Sequence, residues 1–218
     1  MHSKESRNGH WFYKPDETSD SKEEWLRWRA RGIGATDAVV LAGVSPWKTI
    51  QELWKEKVTG KSEVVENWAM KRGKELEPLA RDIYEYQNKV LVPPKNVVHK
   101  KFAFIKASLD GYNEKLSLIV EIKTPGKSDL EIAKKNMMPA KYYPQVQWQL
   151  MITEFSACDY VTYDGKETIY VKRVFPDLKY QRNLLRVGRW FWKQVQEKKE
   201  ITEYDLVLKT KLALGDLA

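Results

Sequence analysis

Two runs with strand character, close together in the chain and both ending on ionic residues, constrain the fold more than any other feature. The first is Phe102-Ala-Phe-Ile-Lys-Ala-Ser-Leu-Asp110-Gly111, and the second is Leu118-Ile-Val-Glu121-Ile-Lys123-Thr-Pro. Asn113-Glu114 lies between them as a turn, so together they predict a hairpin. Alternate side chains of a strand share a face. Leu118, Val120 and Ile122 therefore point one way, into a core, and Ile119, Glu121 and Lys123 point the other. Glu121 and Lys123 then leave an apolar strand at the same edge as Asp110. Two carboxylates and an ammonium gathered at a strand end can hold a hard divalent cation and steer a nucleophilic water. That is the chemistry of phosphodiester hydrolysis. In a chain with 31% charged residues such a pattern is weak alone and gains weight only from its context.

Composition narrows that context. A formal net charge of +8 favours polyanions such as nucleic acid or an anionic membrane surface. No run of about twenty apolar residues is present, so no membrane-spanning helix is expected. The first residues lack the apolar core of a signal peptide, and a reducing cytosol is the expected setting. The one cysteine, Cys158, sits in a strand-like run and reads as a small core residue. Three histidines, at positions 2, 10 and 99, give no zinc-ligand spacing with that cysteine. Any metal would be held by oxygen.

The 218 residues read as one domain, 1–218, with a polar N-terminal segment over 1–20 and a C-terminal tail over 201–218. Ser21, with Glu24 three residues on, predicts a capping box opening a helix to Ala30. Short helices are predicted over Asp37–Leu41 and Thr49–Val58, flanking a loop at Gly43–Lys48. A helix over Asn67–Tyr86 has apolar spacing at Leu76, Leu79, Ala80 and Ile83, with a kink or restart expected at Gly73 and Pro78. Strand character follows from Val97 to Thr124. Helices are predicted over Ser128–Lys135 and Pro139–Thr153, the second holding Gln145 and Gln149 one turn apart. Asp164-Gly165 marks a second hairpin, and a long basic amphipathic helix spans Leu178–Lys198. The order of helix, strands, helix, strands predicts a mixed α/β layer fold with the acidic-lysine hairpin at its centre.

Four motifs occur in a fixed order. They are Gly73-Lys-x-x-Glu-Pro78, Ser108-Leu-Asp-Gly111, Val120-Glu-Ile-Lys-Thr-Pro125 and Tyr142-Tyr-Pro-Gln-Val-Gln-Trp-Gln-Leu150. Together with Trp25-Leu-Arg-Trp-Arg29 and Ile33-Gly-Ala-Thr-Asp37, they resemble the lambda exonuclease or YqaJ-type phage recombination nucleases, over residues 25 to about 165. The resemblance implies a restriction-endonuclease-like fold of the α/β class, a mixed sheet core flanked by helices. It implies that Asp110 and Glu121 are metal ligands, with the Ile122 carbonyl on the same ion, and that Lys123 is the signature lysine. Glu77 matches an upstream helix glutamate, and Glu75 is out of register. Gln145 matches the first glutamine of Gln-Val-Gln, expected behind the site near the scissile phosphate or the lysine. Tyr142 and Tyr143 read as packing at a helix start.

The resemblance also implies that Arg29 receives a 5′-phosphate, with Thr36 beside it. Gly34 departs from relatives that have a hydroxyl residue there. Met70 and Trp47 are the candidates for splitting terminal base pairs. The implied activity is Mg2+-dependent 5′→3′ digestion of double-stranded DNA ends, with Mn2+ as a possible substitute. It would release 5′-mononucleotides and leave 3′ tails for a single-strand annealing protein. The implied assembly is a homotrimer, in the cytoplasm of a bacterial or phage-infected cell, with no membrane partner. Three alternatives stay open. A Cas4- or RecB-like nuclease commonly carries a four-cysteine iron–sulfur cluster, which one cysteine excludes. A sequence-specific endonuclease shares the core fold. A non-catalytic DNA-binding protein would be expected to have lost one of Asp110, Glu121 and Lys123.

Overall fold

The computed structural model describes residues 4–5, 11–13, 19–61 and 67–207. Most of the polar segment 1–20, and the tail after Val207, lie outside the described residues. Two four-stranded sheets form the frame. In the first, β1 (Lys4–Glu5), β2 (Trp11–Tyr13), β3 (Lys95–Val98) and β4 (Lys106–Leu109) follow chain order and pair antiparallel. The second runs β5 (Gly111–Asn113), β6 (Leu118–Lys123), β7 (Ala157–Tyr163) and β8 (Ile169–Val174). Within it β6 and β7 are parallel, and the outer pairs are antiparallel. Parallel neighbours need a crossover. Here it holds α5 (Lys127–Lys134), a 3-10 turn (Ala140–Tyr142) and α6 (Tyr143–Thr153).

The expected hairpin exists, but its first arm is not one strand. The chain breaks at Asp110: β4 before it belongs to one sheet, and β5 after it pairs with β6 in the other. The turn is longer than Asn113-Glu114. Ser117 N–H donates to the Glu114 carbonyl, Leu116 N–H donates to Asn113 Oδ1, and Ser117 takes a positive φ of 51°. The face assignment of β6 holds, with Val120 and Ile122 in a core against α4 (Trp68–Asn88). The opposite face is equally buried. Ile119 joins a larger core with Cys158, Tyr160 and α6, so β6 has no solvent face.

Residues Pro144 to Thr153 of α6 are all buried. The helix lies between the sheet, α2 (Ala35–Leu41) and α7 (Leu178–Gln196). On α7 the residues Tyr180, Leu184, Val187, Phe191 and Val195 recur every three or four positions and form its buried stripe. Gly188 interrupts that stripe for a reason. A Cβ there would stand 2.8 Å from Trp148 Cη2, and Trp148 is among the largest fully buried side chains. Ile201 and Leu206 carry the start of the tail back onto the same core, with a helical turn over 203–207.

Three boundaries differ from expectation. The first helix, α1 (Ser19–Ala30), begins two residues earlier, so Ser21 lies inside it, and the expected cap at its side chain lies outside what the structure describes. The second, α2, starts at Ala35, where the Gly34 N–H donates to Asp37 Oδ2 at 2.8 Å. The long helix α4 neither ends nor restarts at Pro78 and runs unbroken from its Asn67 cap to Lys89. Its inward face is Leu76, Ala80, Ile83 and Tyr84, while Leu79 is 51% exposed. Polar bonds fix α4 onto the sheet: Tyr84 Oη donates to buried Asp159 at 2.6 Å, and Arg173 of β8 grips the same carboxylate at 2.7 and 2.8 Å. The helix α3 (Ile50–Thr59) opens on the reciprocal bonds between Thr49 and Glu52.

Candidate active site

Asp110 sits where the chain passes from one sheet to the other. Its Oδ2 accepts the Ile122 N–H at 2.8 Å across the hairpin, and its carbonyl accepts Arg81 Nε at 2.7 Å. Gly111 follows because the strands touch there: a Cβ would lie 2.8 Å from Val120 Cβ and 3.0 Å from Val92 Cγ2. The Ser-Leu-Asp-Gly motif is thus half ligand chemistry and half close packing. Arg81 also binds Glu77, one turn earlier on α4, and Glu77 lines the same cleft as Asp110. Glu75 is exposed.

Glu121 is only 1% exposed. A buried carboxylate needs partners, and it has three. Gln145 Nε2 donates to Oε1 and Gln149 Nε2 to Oε2, each at 2.5 Å, and Lys123 pairs with Oε1. Gln145 therefore meets the carboxylate of Glu121, where the sequence left the lysine or the phosphate open. Gln149 was not singled out as functional. Its spacing one turn after Gln145 was the available signal. Arg81, one turn after Glu77, was missed in the same way.

Charge crowding shapes this cluster. Burial first, then Glu121 and Glu77, drive the Asp110 carboxyl well above the usual range, against Lys123 and the Ile122 amide. Burial raises Glu77 as well, with Glu121 adding to it and Arg81 opposing. Burial alone would lower Lys123, but Glu121 and Asp110 outweigh it and hold the ammonium firmly charged.

Among the described residues, no three His, Cys, Asp or Glu side chains form a ready-made metal cage. The donor set nonetheless fits one oxygen-seeking divalent ion. Asp110 and Ile122 line the cleft floor, and a cation there would relieve the crowding that raises Asp110. Glu121 lies behind, with both oxygens engaged. Mg2+ commonly takes one or two carboxylates and keeps several waters, so a sparse protein set suits it.

The cleft over this floor has a volume of about 1210 Å3. Lys123, Glu77 and Gln145 share its inner wall, and Lys48, Lys55, Lys61 and Lys74 line it farther out. Trp47 and Met70 stand on its walls, 58% and 42% exposed, and neither is a core residue. Tyr142 is buried against the cleft, and its hydroxyl is pushed up to about 12 by burial, with Lys123 opposing and Asp129 adding. Asp129 pairs with Lys141 at 2.7 Å. Thr36 lines the same cleft, and half-buried Arg29 reaches its hydroxyl at 3.4 Å while lying over the Trp25 ring at 4.7 Å. Thr36 and the acidic-lysine cluster thus line one opening, with Arg29 bonded to Thr36.

One antiparallel and one mixed sheet, wrapped by helices, set an Asp, Glu and Lys cluster at a strand end beside a cleft lined by both lysines and carboxylates. A model of the YqaJ-like viral recombinase domain matches residues 24–156, and the chain belongs to that family. It is 34% identical over 134 residues to the uncharacterized protein YqaJ of Bacillus subtilis (strain 168), a match covering 60% of this chain and 42% of that protein. An uncharacterized protein of Acanthamoeba polyphaga mimivirus is 28% identical over 153 residues, 64% of this chain and 28% of that one. The chain thus matches less than half the length of these curated relatives. Among solved structures, the alkaline exonuclease LHK-Exo from Laribacter hongkongensis, in its complex with dAMP, has a TM-score of 0.71 at 25% identity. That match covers 88% of this chain and 100% of the other. Among the described residues no helix is long and apolar enough to cross a membrane.

Proposed function

We propose that this chain hydrolyses phosphodiester bonds from the 5′ ends of double-stranded DNA, with Mg2+ or Mn2+ as cofactor. The observation that carries the reading is Asp110, bonded to the Ile122 N–H, lining one cleft with Lys123, whose ammonium pairs with the buried Glu121 carboxylate behind it. Similarity to an alkaline exonuclease supports it. Asp110, the Ile122 carbonyl and, once the ion displaces Lys123 from its Oε1, Glu121 would hold the ion, which would supply a Lewis acid for water and phosphate. Lys123, kept charged by its carboxylate neighbours, stabilises negative charge developing on the phosphate oxygens. Gln145 and Gln149 fix the Glu121 carboxylate, and Arg81 fixes Glu77 beside it.

A water oxygen adds to phosphorus and releases its proton to solvent. The P–O3′ bond breaks, and the leaving oxygen takes a proton. The products are a 5′-mononucleotide and a strand with a new 5′-phosphate. Arg29 and Thr36 would receive that phosphate, since a guanidinium beside a hydroxyl suits a terminal phosphate dianion. Repetition gives 5′→3′ progress and a 3′ single-stranded tail for an annealing protein. Closure into a homotrimer around the duplex rests on the family resemblance.

Linear duplex DNA labelled separately at each strand end tests the proposal. Early release of labelled mononucleotide from the 5′ end, only with divalent cation present, is expected. Fixed internal cuts, or release first from the 3′ end, would overturn it.

A further inference from the structure

Behind the Arg29–Thr36 pair lies a set of buried charges that the chemistry at Lys123 does not use. Lys57 of α3 and Asp37 of α2 form an ion pair at 2.7 Å, and both side chains are almost fully buried. Asp37 Oδ2 also accepts the Gly34 N–H, at the start of α2. Lys57 Nζ lies 3.4 Å from the Arg29 carbonyl, at the end of α1. A second buried lysine, Lys106 of β4, donates to the Trp28 carbonyl at 2.5 Å and sits 4.9 Å from the Trp28 ring.

The last carbonyls of a helix lack intrahelical donors and carry partial negative charge, which cations satisfy. Two buried ammonium groups do this for successive residues of α1. One of them is tied through Asp37 to the turn of α2 that carries Thr36. The crossing is tight: a Cβ on Gly32 would meet the Phe104 carbonyl at 2.4 Å and Lys106 Cε at 2.8 Å. An Ile33–Ile105 bridge pins the chain between α1 and α2 to the start of β4. Burying an ion pair is a poor way to gain stability compared with apolar packing of the same volume. Geometry is what such a pair can fix.

We infer that Lys57, Asp37 and Lys106 are positioning residues for the 5′-end pocket, holding the backbone of Arg29 and the first turn of α2 so that guanidinium and hydroxyl face one phosphate. The inference rests on the proposed role of Arg29. None of the three touches the reacting atoms, and each acts through α1 or α2.

The experiment compares initial rates on duplexes with 5′-phosphate and 5′-hydroxyl ends. It uses the full chain carrying Arg29→Ala, Lys106→Met or Lys57→Arg, with thermal melting to confirm folding. Lys106→Met removes a buried charge, and Lys57→Arg keeps the charge but displaces it, so at least one folded variant reports. Misplacing a binding group by about 1 Å costs on the order of a hundredfold in rate. The phosphate-to-hydroxyl rate ratio should therefore fall roughly ten- to a hundredfold in Lys106→Met and Lys57→Arg, with the hydroxyl rate little changed. A purely structural role would lower both rates together and leave the ratio intact. If Arg29→Ala erases the preference while both lysine variants keep the wild-type ratio, the inference is overturned and the pocket stands. If Arg29→Ala itself keeps the preference, the pocket reading fails.

Discussion

Gln149 Nε2 donates to Glu121 Oε2 at 2.5 Å, so the carboxylate most deeply buried in the site is gripped from α6 on the oxygen that Lys123 leaves untouched. Gln149→Ala would leave that oxygen without its charge-assisted partner in the core. Such a loss costs about 1.5–3 kcal/mol. Chemical denaturation should show a lower midpoint with an unchanged slope, and turnover should fall as Glu121 loses its fixed orientation. Unchanged stability would mean that water replaces the amide.

Lys123→Ala should lower kcat about 10²–10³-fold, the range for losing one preorganised electrostatic donor. The ammonium is also the cation that opposes the rise of Asp110, so its removal should drive the Asp110 carboxyl higher still. Single-turnover rates on a 5′-phosphorylated duplex, measured against pH, check both effects. The residual activity should be shifted to higher pH.

Asp110→Asn should abolish hydrolysis and yet stabilise the metal-free protein at neutral pH. The folded carboxyl is raised by burial, Glu121 and Glu77, so the folded state binds more protons than the unfolded state above the ordinary aspartate range. Stability from such a group is present below the unfolded value and is lost as pH rises through the folded one. Removing the charge removes that loss. Thermal melts with chelator should show a higher Tm for the variant. Added Mg2+ should raise the wild-type Tm and leave the variant's nearly still.

Lys106 gives the opposite slope. Burial first, then Lys57 from α3 and Arg31 beyond the end of α1, lower it to about 8. The unfolded lysine holds its proton to higher pH, so between about 8 and the usual lysine range the unfolded state binds more protons. Lys106 should thus make stability rise with pH across that window, and Lys106→Met should lack the rise. Denaturation midpoints at both ends of the window, wild type against variant, measure it.

Much of this site was legible because its chemistry is concentrated in short motifs. Asp110, Glu121 and Lys123 follow from strand alternation and a turn, whereas Glu77 follows only from the family resemblance. What stayed hidden depends on contacts between distant segments. Alternation cannot say that the Glu121 face is covered, because the residues that cover it lie on a crossover helix. Nor can helical spacing tell that Leu79 is exposed while Tyr84 is buried, since the Asp159–Arg173 clamp selects the face. The break at Asp110 was invisible because both flanking runs have equal strand character. Pro78 does not break a helix held along its length by the sheet and by its caps.

The parallel pairing of β6 with β7 also bears on the order in which the molecule assembles. Leu118 must find Ala157, and Lys123 must find Thr162, across a connection containing two helices and a 3-10 turn. Pairings so far apart in sequence close slowly, after local hairpins and helices. The β5–β6 hairpin can bring Asp110 to Ile122 early, but the glutamines that satisfy Glu121 arrive only when the crossover docks. Until then the nascent centre is an acidic loop open to water, and catalytic competence should be among the last properties the folding chain acquires.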